Sequence, residues 1–480
     1  MNPLHTLTAS GLAAAFRTGA TTPTDAVEHF LGRIEAHSEA VGAFVTVTAD
    51  SALASAAVAT RAFATQDHTE LPPLYGVPTA VKDLSLTAGV RTMFGSQAMT
   101  DYVPSVSDAV VDKIAAAGMI SLGKTNTPEF GTPCYTEPDV APPARTPYDL
   151  ERSAGGSSGG AAAAVAAGLI PLAHGSDGGG SIRIPASVCG LVGLKPSRGR
   201  VSKAPLHADI AGLSVSGPLA TSVRDAALFL DAIAGPAPGD ALWADPLATG
   251  DSFRAWCDRD PGHLRIAHFA TPMIAGTTLD PQVRSVYDDL VDRLSGLGHT
   301  LVEIEVPLPA DTVPVFETVW SVSAALAPVR ADREHLLRPL TRWLRDRGRA
   351  ASAPDYGKAL TAMAQTGAKA VASLAAYDAV LTPTLAQLPA PVGALRNDAD
   401  PAADFEAQKA FSPYTSGWNV TGMPAISLPT GWSGTGLPIG MMLAAAPGQE
   451  QVLCALGAQV ESVLSTAGDP EGWSRPSVVL

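Results

Sequence analysis

The stretch Gly155–Pro196, GGSSGGAAAAVAAGLIPLAHGSDGGGSIRIPASVCGLVGLKP, constrains this chain more than any other. It sets serines at two glycine-rich points, Ser157 within GGSSGG and Ser181 after three consecutive glycines. A glycine run before a serine lets backbone N–H groups converge without side-chain obstruction, which stabilising an oxyanion at an acyl-transfer nucleophile requires. The flanks are apolar and continuous with core-like segments, so the glycines read as a tight turn inside a packed domain and not as a linker. Upstream, LYGVPTAVKDL supplies Lys82 behind an apolar run. A lone lysine is ordinarily a solvated charge; one behind an apolar run can be buried and lose its proton.

Composition narrows the class. Of 480 residues, 46 % are hydrophobic and 16 % charged, the balance of a folded protein and not of a disordered or fibrous one. Length alone allows two or three domains, although large α/β enzymes often remain a single unit. Richness in alanine and glycine predicts tight helix-to-sheet packing. A net charge of −14 and the absence of a basic cluster argue against nucleic acid as partner. Four widely spaced cysteines form no CxxC pair, so neither a zinc site nor a disulfide framework is expected, and a reducing cytoplasm is the expected location. The N-terminus shows no basic region before its apolar residues. The longest apolar run, AAAAVAAGLIPLA, has 13 residues with Gly and Pro inside it, too short to span a bilayer.

Periodicity predicts helices over Thr24–Ala36 and Ala49–Ala64, then short β-branched runs (Val77–Val81, Met119–Leu122) alternating with helical segments (Ser107–Ala117, Gly159–Ala167, Ser222–Ala234). This is the pattern of an α/β layered fold. Later strand candidates are Leu264–Phe269, Thr300–Val306, Ala379–Pro383, Ala425–Leu428 and Ile439–Ala444. Three other motifs are coincidental. GMISLGKT (118–125) fits the P-loop expression, but the helical segment Ser107–Ala117 precedes it, its MISL is an apolar strand and a loop follows, the reverse of the strand-loop-helix order of a phosphate-binding loop. Ser121 and Lys124 spell S-x-x-K without the companion motifs of penicillin-recognising enzymes, and Arg183 stands where a G-x-S-x-G elbow around Ser181 needs glycine. His174 then reads as a packing residue and not as a triad base.

GVPTAVKD (76–83), LGKTNTPEF (122–130), GGSSGG (155–160), SDGGGSIRIPASVCGLVGLKP (176–196), GPLATSVRDAALFLDAIAGPAPGD (217–240) and WNVTGMPAISLPTGW (418–432) together resemble the amidase signature family. The 24 steps from Ser157 to Ser181 match the family's spacing between bridging serine and nucleophile. The resemblance implies one domain over 1–480, a mixed central β-sheet sandwiched between α-helices, a signature core at about 71–240, and a variable, partly helical region at about 245–410 near the substrate entrance. It implies Ser181 as nucleophile, Ser157 as the bridge on a cis Gly156–Ser157 peptide, and Lys82 as the base. Gly178, Gly179 and Gly180 would form the oxyanion hole, with Ser158, Asp177 and Arg183 in support; the family usually has a side chain where Gly178 stands. Substrate contacts are expected from Gly131, Cys134, Tyr135, Tyr414 and Asn419. No metal or cofactor is expected. The expected partners are a small-molecule amide, ester or carbamate, with a homodimer as the assembly and neither nucleic acid nor membrane. Within the family the motifs look nearest to bacterial hydrolases of 6-aminohexanoate oligomers and to urethanases. The alternatives are the glutamine-hydrolysing amidase subunit of a tRNA-dependent amidotransferase, and a catalytically silent scaffold on the same fold.

Overall fold

A computed structural model describes residues 3–274 and 276–465. Its strands are β1 (Phe44–Val47), β2 (Pro78–Lys82), β3 (Ile120–Thr125), β4 (Leu172–Asp177), β5 (Val192–Lys195), β6 (Val215–Ala220), β7 (Arg265–His268), β8 (Thr300–Glu303), β9 (Ala379–Pro383), β10 (Ala425–Trp432) and β11 (Pro438–Ala445). Eight of them form one mixed sheet in the order β4-β6-β5-β10-β11-β9-β7-β8, and the other three form a sheet in the order β1-β3-β2. The sheets abut where β2 lies along β4. Thr79 Oγ1 donates to the Leu172 carbonyl at 3.2 Å, and the Lys82 N–H donates to His174 Nδ1 at 3.3 Å. The two strands thus advance side by side and end together, at Lys82 and at Asp177.

Side-chain alternation puts helices on both faces of the large sheet. Ile426 and Leu443, paired across β10 and β11, share one face, and Ile426 reaches Gly457 in the helix Glu450–Leu464. Gly440 and Gly193 stand on the opposite face, against the helix Arg183–Val188 that follows Ser181. Leu194, Leu219, Phe229, Leu230, Leu443 and Leu456 are wholly buried in the main apolar cluster.

Local rules account for the element ends. The helix expected over Thr24–Ala36 runs Pro23–Val41. Thr22 is its cap: Thr22 Oγ1 accepts from the Asp25 N–H at 3.1 Å, the Asp25 carboxylate accepts from the Thr22 N–H at 3.0 Å, and Pro23 sits where no N–H is needed. The helix Gly159–Ala166 is buried from its first residue to Val165. A Cβ on Gly160 would fall 2.4 Å from the Asn126 backbone nitrogen, so alanine and glycine content translates directly into close approach. The region 245–410 contributes β7, β8 and β9 to the large sheet, and its helices Thr312–Ala325 and Pro401–Phe411 stand over the β4 end. Among the described residues no helix is long and apolar enough to cross a membrane.

Candidate active site

Lys82 is the last residue of β2 and fully buried. Its Nζ lies 2.8 Å from Ser157 Oγ, 3.1 Å from Ser176 Oγ and 3.2 Å from the Ser176 carbonyl. Burial pushes the ammonium down to about 7 against the opposing charge of Asp177. A neutral amine has two N–H donors and one lone pair, so these oxygens can be served with Ser157 handing its hydroxyl proton to Nζ. The Gly156–Ser157 peptide is cis, and Thr127 Oγ1 donates to the Ser157 carbonyl at 3.0 Å. The Ser158 hydroxyl donates to the Ser176 carbonyl (3.2 Å) and accepts the Ser176 N–H (3.3 Å), bracing the β4 end beside Lys82. Ser176 is the residue that sequence reasoning missed here. Its signal was position: in the strand leading to Asp177 it lies beside the end of β2.

Ser181 heads the turn after β4. Its carbonyl accepts the Ser158 N–H at 3.2 Å, which ties the two serine segments together. Asp177 organises this turn. Its Oδ1 accepts from the Gly180 N–H (2.8 Å), Arg183 (2.9 Å) and Asn419 Nδ2 (2.9 Å), while Oδ2 accepts from the Ile182 N–H (3.2 Å) and Arg183 Nε (2.9 Å). Burial would raise this carboxyl, but the bidentate Arg183 guanidinium holds it well below the usual carboxylate range. Arg183 also donates to Asn419 Oδ1 at 2.7 Å and to the Thr415 carbonyl at 2.8 Å. The Gly180 N–H, expected to face an oxyanion, is thus engaged in locking the loop. Gly178, where the resemblance leads one to expect a side chain, faces Trp320. A Cβ there would come within 3.3 Å of the Trp320 ring, so the indole occupies the space a side chain would take.

Two cavities of about 100 and 290 Å3 meet at Ser181, sharing Thr132 and Trp320 as walls. Gly179, Cys134, Phe316, Phe405 and the Glu317–Lys409 ion pair (2.6 Å) line the first. Ser157, Ser176, Gly178, Gly131, Phe94 and Phe130 line the second. Of the expected substrate contacts, Gly131 and Cys134 reach these walls; Tyr135, Tyr414 and Asn419 do not. The Tyr135 hydroxyl donates to Asp404 (2.6 Å) and that of Tyr414 to the Ala270 carbonyl (2.5 Å); both rings are buried. Asn419 is spent on Asp177 and Arg183. Aromatic composition in a loop gave these residues away as pocket candidates, but their polar tips are satisfied inside the core. Cys134 carries a thiol that burial pushes up, so it is a neutral wall group. His174, whose Nδ1 accepts the Lys82 N–H, is pushed down to about 3 by burial and the nearby lysines, and acts as packing beside the base. Among the described residues no group of His, Cys, Asp and Glu is arranged to hold a metal ion.

The serine-serine-lysine constellation at paired strand ends, on a mixed sheet covered by helices, defines an amidohydrolase of the Ser-cisSer-Lys class. The Amidase family profile matches residues 25–454, and the chain belongs to that family of amide-hydrolysing enzymes. It is 34 % identical over 95 % of its length to the 6-aminohexanoate-cyclic-dimer hydrolase of Paenarthrobacter ureafaciens, covering 94 % of that protein. It is also 34 % identical over 96 % of its length to a glutamyl-tRNA(Gln) amidotransferase subunit of Koribacter versatilis, covering 99 % of it. A solved 6-aminohexanoate cyclic dimer hydrolase superposes with a TM-score of 0.88 at 30 % identity, over 96 % of this chain and 98 % of that one.

Proposed function

We propose that the chain hydrolyses small neutral amides, and related esters and carbamates, through an acyl-enzyme on Ser181. Ser181 Oγ attacks the carbonyl carbon as its proton passes to Ser157 and the Ser157 proton passes to Lys82. The oxyanion meets the amides of Gly178, Gly179 and Ser181. On collapse the C–N bond breaks, nitrogen takes a proton from Ser157, and Lys82 returns one to Ser157. Water then repeats the sequence on the ester and releases the acid. The single observation that carries this reading is Lys82 Nζ at 2.8 Å from Ser157 Oγ in a setting that pushes the lysine to about 7, where it can accept a proton. Peptide mapping after a fluorophosphonate should find the adduct on Ser181; an adduct on Ser157 or Ser158 reverses the two serine roles.

Identity alone does not separate an independent amidase from an amidotransferase subunit, since relatives of both kinds stand at 34 %. The walls support the independent amidase. The charged pair in the first cavity is already neutralised, Lys409 by Glu317 at 2.6 Å and Glu406 at 2.7 Å, so a zwitterionic glutamine finds no unpaired partner there. Nylon-type oligomers and urethanes are candidate substrates of the same chemistry, and the cytoplasm is the proposed location. A turnover panel of aliphatic amides, anilides, carbamates, 6-aminohexanoate oligomers and glutamine ranks them.

A further inference from the structure

Ser181 stands at the junction of two cavities, and the proton relay makes them chemically unequal. In acylation the departing nitrogen takes its proton from Ser157 Oγ, so the N-substituent must lie on the side that Ser157 faces. Ser157, Ser176 and Gly178 line only the second cavity, whereas Gly179, Cys134 and Phe316 line only the first. This assigns the acyl chain to the first cavity and the amine to the second, and it rests on the relay reading above.

The walls of the second cavity then name the amine. Phe94 and Phe130 stack at 6.1 Å between centroids with 19° between planes, and the Phe130 N–H donates to the Phe94 carbonyl at 2.8 Å. Both residues have positive φ, 52° and 50°, a conformation side chains rarely adopt and one that the surrounding structure must enforce. Leu84, Leu326 and Trp320 add to the wall, which also carries Thr132, Ser214 and Ser323. The charge in this lobe is paired: Asp209 accepts from Lys203 at 2.6 Å and from the amides of Gly212 at 3.0 Å and Ser214 at 2.7 Å. We propose that the second cavity is a leaving-amine lobe in which the Phe94–Phe130 pair selects aromatic amines, so that N-aryl and N-arylmethyl amides are the preferred substrate class. In the step this serves, the C–N bond breaks, its electron pair stays on nitrogen, the Ser157 hydroxyl proton neutralises it, and the amine leaves uncharged from an apolar lobe.

The test uses N-benzylhexanamide against N-(cyclohexylmethyl)hexanamide, which share an acyl group and release amines of similar size; benzylamine is the less basic, so rates are first divided by those of uncatalysed alkaline hydrolysis of the same two amides. The benzyl compound should be favoured about fivefold in kcat/KM, the scale of an aromatic-pair contact. Phe130→Leu and Phe94→Leu should bring the ratio close to one without altering the preference among acyl chains on a common benzylamine. Phe316→Ala should do the reverse. Circular dichroism and a thermal unfolding curve like those of the wild type check that each variant is folded. A wild-type ratio near one, or a ratio that follows Phe316 in place of Phe94 and Phe130, overturns the assignment. Calorimetry with Ser181→Ala separates this from the proposed function. Preferential binding of the benzyl amide by that variant, with neither amide cleaved by wild type, sinks the amidase reading and leaves the lobe standing. Equal binding of both amides sinks the lobe.

Discussion

At the scale of the residue, the chemistry turns on how far burial moves single protons. Lys82, pushed down to about 7, is neutral above that pH and protonated below it. As pH falls through that value, kcat/KM should drop about tenfold per unit, and a pH–rate profile checks this. The same shift acts on folding. Between about 7 and the ordinary 10.5 the unfolded chain binds a proton that the folded site rejects, so stability due to this group rises with pH across that window. Lys82→Met should remove up to about 1.4 kcal/mol per pH unit of that slope, measured by denaturant unfolding at pH 7.5 and 9, while Lys195, also pushed to about 7, keeps its own share. Lys82→Ala should cost amides about 10²–10⁴-fold but activated esters much less, because a phenolate leaves without a proton. Equal losses on both substrates would remove Ser157 and Lys82 from leaving-group protonation. Asp177 and Arg183 sit at the other extreme, as a fully buried pair. Arg183→Met leaves the carboxylate unpaired among amides and should cost about 3–5 kcal/mol in unfolding free energy.

At the scale of the element, the site is two strand ends and a turn. β2 delivers Lys82, β4 delivers Ser176 and Asp177, and the turn into Arg183–Val188 presents Ser181. The turn tolerates substitution unevenly. At Gly180, with φ of 135°, a Cβ would lie 2.3 Å from Thr415 Oγ1, whereas at Gly179 the nearest neighbour is 3.5 Å away. Gly180→Ala should therefore lower stability by about 1–3 kcal/mol and strip activity as the loop shifts, while Gly179→Ala should fold as wild type. Thermal unfolding of the two variants distinguishes a backbone requirement from a general intolerance of the loop. Thr415 adds to this lock by donating to the Gly179 carbonyl at 2.6 Å, so a segment more than 230 residues away fixes the angle of the oxyanion turn.

At the scale of the whole molecule, the region 245–410 supplies both sheet and pocket. Its strands extend the sheet by three, and its helices bring Phe316, Glu317, Trp320, Phe405 and Lys409 over Ser181. Under the proposed assignment these residues shape the acyl cavity, while Phe94 and Phe130, within the signature core, shape the amine side. The assembled pocket predicts turnover of neutral amides well above glutamine. Efficient glutaminase activity, or a stoichiometric protein partner on purification, would instead favour the amidotransferase subunit. Prolonged EDTA treatment should leave the rate unchanged, because Lys82 and Ser157 supply the base that a metal would otherwise generate.

The sequence by itself determined the family and, with it, amide hydrolysis. Lys82, Ser157, Ser181, Asp177 and Arg183, the residues of the proposed site, sit in short motifs, and the fold brings Lys82 against Ser157 and Asp177 against Arg183. The layered α/β pattern was legible through strand and helix periodicity, down to an end point at Lys82 that fell one residue beyond the expected run. What only the tertiary structure decided is which side chains turn toward the reacting serine. Tyr135, Tyr414 and Asn419 carry the right chemistry for a pocket, yet their polar groups are consumed by Asp404, the Ala270 carbonyl and the Asp177–Arg183 pair. Phe94, Phe316, Trp320 and Lys409 carry no motif at all and line the cavities. A buried polar group is placed by the partner that satisfies it, and those partners lie across the fold, where spacing along the chain holds no record of them.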